Sequence, residues 1–203
     1  QAIRWTTHAN IPVLPAAAKT FHAVDNPGGL APFFVLPGTG EAEWQGFLDD
    51  RYIPHAADPP EGYLATSNQD PIGETLDGDP LNGPEVDGNP LYLAAGYDAG
   101  FRQARIRARI EAAIAAGGVT FEEMASIQAD AHSSLGERLV PFVLDAIEAG
   151  GDADARLAEA TGYLADWSFD TPPAVEGAPT EAEIADSVAT SIFNVFVTYS
   201  ELT

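Results

Sequence analysis

The 203-residue sequence contains no cysteine, which excludes disulfides, zinc-thiolate centres and thiol catalysis. Cations are scarce as well. Lysine and arginine total 9 against 31 aspartates and glutamates, giving a formal net charge of −22. Such a surface repels nucleic acid and anionic membranes. Lys19 is the only lysine. No run approaches the roughly 18 apolar residues of a membrane-spanning helix, and the first residues have neither the basic start nor the apolar stretch of a secretory signal. His8, His22, His55 and His132 lie far apart and form no His-Glu-x-x-His pair. A Gly-x-Ser-x-Gly elbow and a Walker loop are also missing, and Gly38-Thr39-Gly40 is only a scrap of a dinucleotide-binding fingerprint.

What is present changes character at about residue 91. Ile3 to Thr7 and Phe33 to Leu36 read as short strands, the second stopped by Pro37-Gly38-Thr39-Gly40. Between Pro59 and Pro90 the chain is rich in Gly, Pro, Asp and Asn, so a strand at Tyr63 to Thr66 and then a long ordered loop are expected. From Leu91 the period becomes helical. Ile106, Ile110 and Ile114 share one helix face, and Gly117-Gly118 stops that helix. Thr120 with Glu123, and Thr180 with Glu183, have capping-box spacing before further helices. Leu135 to Ala149 is a helix that Pro141 should kink or divide. Ala153 to Trp167 follows, and Pro172, Pro173 and Pro179 form a stiff linker to the last helix. The expected fold class is therefore α+β: a strand and loop segment over 1–90, then a helical segment over 91–203. Strands this few cannot bury both faces of a sheet. The abrupt strand at the start and the helix running to Thr203 read as boundaries within a longer protein.

The loop from Asp77 to Asn89 offers carboxylates, amides and carbonyls to a hard cation, although it is no EF-hand and reads more readily as a solvated turn in an acidic protein. Two other runs point elsewhere: Gly62-Tyr63-Leu64-Ala65-Thr66-Ser67-Asn68-Gln69-Asp70-Pro71, and Gly100-Phe101-Arg102-Gln103-Ala104-Arg105-Ile106. With Leu36-Pro37-Gly38-Thr39-Gly40, Glu43-Trp44-Gln45-Gly46 and Ser126-Ile127-Gln128-Ala129-Asp130, their order resembles the middle of the β subunit in the penicillin acylase family of N-terminal nucleophile hydrolases.

The resemblance implies an αββα core completed by other segments of the same precursor, a periplasmic or secreted location, and hydrolysis of an N-acyl amide by an N-terminal nucleophile. Gln1 is not such a nucleophile, so the attacking group belongs to a segment other than this one, and the isolated chain is expected to be inactive. Asn68 would be the oxyanion-hole donor and Arg102 its supporting neighbour. Otherwise, Asn68 caps a turn and Arg102 pairs with Asp98 or Glu111 in the first turns of a helix. The family resemblance also implies structural calcium, with Asp79 as a carboxylate ligand and the Pro32 backbone carbonyl as a second. The other function considered is a non-catalytic, calcium-stabilised binding or interaction domain derived from such an enzyme.

Overall fold

The computed structural model describes residues 2–151, 154–172, 177 and 179–201. It comprises two compact units, Gln1–Gln103 and Ala104–Thr203.

In the first unit β1 (Arg4–Thr6) pairs antiparallel with β2 (His55–Ala57), Trp5 lying opposite Ala56. A second pair, β3 (Glu85–Val86) and β4 (Asn89–Pro90), is a tight hairpin. Its turn residues Asp87 and Gly88 have φ of 54° and 75°, the left-handed conformations that a two-residue turn needs to match strand twist. The rest is irregular chain with 3-10 turns at Ala16–Ala18 and Asp50–Tyr52. Buried Leu14, Ala18, Ala31, Ile53 and Leu81 form its small interior.

Two expected strands do not form. At 33–36 the chain turns, and Phe33 packs edge-on against Phe21 at 5.6 Å and beside Tyr92 at 6.4 Å. Residues 63–66 form no strand; the Ala65 carbonyl accepts from Gln103 Nε2 at 2.9 Å. Strand propensity becomes a strand only where a neighbouring edge supplies the ladder.

The helices follow from capping and periodicity. α1 (Phe101–Ala115) starts ten residues later than the change in pattern, because Leu91–Gly100 is irregular and Gly100 has φ 86°. On its apolar face Ile110 and Ala113 are buried while Ile114 is exposed. α2 (Phe121–Gln128) has the Thr120 hydroxyl capping the Glu123 N–H at 3.1 Å. α3 (Ser134–Gly150) is capped by Ser133 and runs through Pro141 as one helix rather than dividing there. Packing accounts for this: Val140, beside the proline, is buried with Leu164, Trp167, Ala189 and Phe193. α4 (Ala155–Ala165) is capped by Asp154, and before α5 (Glu181–Glu201) Thr180 and Glu183 cap each other's backbone N–H, at 3.2 and 2.7 Å. Of the proline linker, Pro173 lies outside the described residues.

Two contacts organise this unit. Gly136 faces the Trp167 ring so closely that a Cβ there would lie 2.5 Å from it. Asp130, just after α2, accepts from Arg105 Nε at 3.0 Å, from Arg109 Nη1 and from the His132 backbone N–H at 3.0 Å. Burial alone would raise the Asp130 pKa; the His132 amide and the two guanidinia outweigh it and hold the group below the usual carboxylate range.

Candidate active site

The turn at Ser67-Asn68-Gln69 is fastened from both sides. Ser67 is buried, and its N–H donates to Gln69 Oε1 at 2.7 Å. Its hydroxyl is shared between Gln69 Oε1 at 3.4 Å and Gln103 Oε1 at 3.3 Å. The Asn68 carbonyl accepts from the Asp98 N–H at 2.8 Å. Asn68 itself has φ 63°, a left-handed conformation that asparagine tolerates better than most residues.

Arg102, in the first turn of α1, completes the fastening. Its Nη2 donates to the Ser67 carbonyl at 2.9 Å, to Asn68 Oδ1 at 3.2 Å and to Asp98 Oδ2 at 2.7 Å, while Nε also reaches Asp98 Oδ2 at 3.0 Å. The structure thus brings together the two residues singled out in the sequence. Of the two pairings considered for Arg102, Asp98 is its ion-pair partner, while Glu111 pairs with Arg107. The Arg102 hydrogen bond, followed by the Gly100 N–H and the Arg102 charge, holds the Asp98 carboxyl below its ordinary pKa although burial opposes this.

With Oδ1 accepting from a guanidinium, the Asn68 amide is oriented and Nδ2 is its donor end. Asn68 is exposed, and among the described residues no hydrogen bond of Nδ2 occurs. A fixed, solvent-facing amide donor of this kind can stabilise negative charge developing on an oxygen. Sequence reading missed the supporting set of Ser67, Gln69 and Gln103. Its one local signal is the Asp98-x-x-x-Arg102 spacing, which places an acid one helical turn before the arginine.

Immediately beyond the turn, Asp70 accepts the N–H groups of Ile72 at 3.0 Å, Gly73 at 2.9 Å and Thr75 at 2.7 Å, plus the Thr75 hydroxyl at 2.9 Å. These bonds outweigh desolvation and lower its pKa. Glu74 behaves oppositely. It is buried against Gly83, its Oε1 has no hydrogen-bond partner among the described residues, and burial with the Asp70 charge pushes its pKa up to about 7.

Asp79 is buried too, but its carboxylate accepts the Ala23 N–H at 3.2 Å and the Leu81 N–H at 3.1 Å and contacts His22 Nδ1 at 3.2 Å. Pro32 is half-buried, one residue before Phe33 of the aromatic cluster. Among the described residues no three His, Asp or Glu side chains gather to hold a metal.

The family model for penicillin amidase matches residues 1–201. The chain belongs to the penicillin amidase family. Its fold is similar to that of thermostable penicillin G acylase from Alcaligenes faecalis, at 19% identity and a TM-score of 0.51 over 85% of this chain. The chain spans 26% of the length of that acylase chain. No curated protein matches it. Family membership and the α+β fold agree with the resemblance seen in the sequence, and among the described residues no helix is long and apolar enough to cross a membrane.

Proposed function

We propose that this chain is one segment of a periplasmic or secreted amidase that hydrolyses N-acyl amides, and that it supplies an oxyanion-hole donor, Asn68, positioned by Arg102. The observation that carries this reading is the 3.2 Å contact from Arg102 Nη2 to Asn68 Oδ1, which turns the amide donor outward. A nucleophile on another segment attacks the substrate carbonyl, and charge builds on the carbonyl oxygen. Asn68 Nδ2 donates to that oxygen more strongly in the transition state than in the ground state. Arg102 keeps the amide from rotating its acceptor end into the site, and Asp98 keeps Arg102 in place.

Partner segments are supported by surface left apolar in the first unit: Val35 is 98% exposed and Phe34 and Trp44 are each 66% exposed. Calcium enters this reading only as a structural ion for the assembled enzyme. Asp79 and the Pro32 carbonyl would be this chain's contribution and the remaining ligands would come from other segments.

Replacing Asn68 by glycine in the assembled enzyme tests the role, because glycine keeps the left-handed backbone and removes the donor. The kcat for a chromogenic N-acyl anilide should fall by about 10² to 10³ with KM little changed. A kcat close to the parent value would reject it. The alternative, a free-standing calcium-stabilised domain, predicts a cooperative melt that calcium moves upward in the isolated chain.

A further inference from the structure

We propose that the first unit contains a second binding site, for a small organic monocarboxylate with an apolar body. The site is a cavity of about 550 Å³, within the range of about 300–1,000 Å³ typical of small-molecule pockets. None of Ser67, Asn68, Asp98 or Arg102 lines it.

One charged group of its wall is incompletely satisfied. Lys19 is 6% exposed, yet its ammonium has only the Pro90 carbonyl as acceptor and no carboxylate partner among the described residues. A buried ammonium without an anion is costly. A carboxylate satisfies this group, while Leu14, Phe47 and Tyr92 provide apolar wall for the body of the ligand. Asp49 and Asp87 also line the cavity, but both are exposed and Asp49 is engaged by Arg51 at 3.2 Å. Their charge favours a ligand with one carboxylate over one with several. Burial pulls the Lys19 pKa below the usual lysine value; a bound carboxylate would move it back up.

Because Lys19 is the only lysine, ¹³C-lysine labelling of the full chain gives a single Cε resonance that reports on this site. The probes are 3-phenyllactate and its neutral counterpart 3-phenyllactamide. Saturable movement of the resonance by phenyllactate is expected, with binding at least about tenfold tighter than the amide and a higher Lys19 pKa in the complex. Lys19→Gln, which retains a donor for the Pro90 carbonyl but has no lysine resonance, should weaken phenyllactate binding by a similar factor in titration calorimetry. A resonance unmoved by millimolar phenyllactate, or equal affinity for acid and amide, overturns the proposal. The readout is independent of amidase activity, so it can fail while the reading of Asn68 stands.

Discussion

Arg102 spans from α1 to the turn at Asn68, bonding the Ser67 carbonyl, Asn68 Oδ1 and the Asp98 carboxylate through one guanidinium nitrogen. A lysine has a mobile point charge where arginine has a rigid planar fork, so it cannot hold all three acceptors in register. Arg102→Lys in the assembled enzyme should lower kcat by about tenfold while leaving the fold intact by circular dichroism, since Asn68 keeps its donor but loses its orientation. An unchanged kcat would mean that Arg102 serves only as an ion-pair partner of Asp98.

Glu74 gives a pH signature. Its folded pKa of about 7 lies above the ordinary glutamate value of 4.5, so the unfolded chain loses this proton at lower pH than the native protein does. Stability contributed by this group therefore declines as pH rises from about 4.5 to 7 and is flat above that. Glu74→Gln fixes the neutral form. It should be nearly neutral at pH 5 and stabilising by up to about 3 kcal/mol at pH 8, measured by urea unfolding at the two values.

Asp130 should respond in the other direction. Its folded pKa is depressed, so its contribution is present above the unfolded value and disappears as pH falls through the folded one. Asp130→Asn leaves Arg105 and Arg109 facing a neutral amide, and should destabilise the helical unit by about 3 kcal/mol at pH 7. The difference should shrink at pH 3, which denaturation curves at both values would register.

Gly136 is required by the approach of Trp167. Alanine there would put a methyl carbon 2.5 Å from the indole, forcing apart the packing of α3 on the Trp167 cluster. A loss of about 1–3 kcal/mol is expected, with a changed near-ultraviolet dichroism of tryptophan. Retention of full stability would show that the indole can move aside.

Two helix starts were legible in the sequence because capping is local: Thr120 and Thr180 each hold the N–H three residues ahead, whereas the Ser133 and Asp154 caps emerged only in the structure. Asn68 and Arg102 were legible as a pair only through family resemblance, since 34 residues separate them and no periodicity connects a loop to a helix start. The strands were less readable. The segments at 33–36 and 63–66 have strand propensity, but Phe33 packs in an aromatic cluster and the Ala65 carbonyl accepts from a glutamine side chain, which no local pattern encodes. The Asp87-Gly88 hairpin was the opposite case: the acid-rich loop was legible as a turn, and it forms one. Glu74 became notable only through burial.

The most direct test of Asn68 as oxyanion donor is the Asn68→Asp variant of the assembled enzyme. Aspartate keeps the size, the left-handed backbone and an acceptor for Arg102 while removing the N–H. Hydrolysis of an N-acyl anilide should show kcat reduced by about 10² to 10³ or more, with KM nearly unchanged and the melting temperature retained. A variant turning over within a few-fold of the parent would contradict that role.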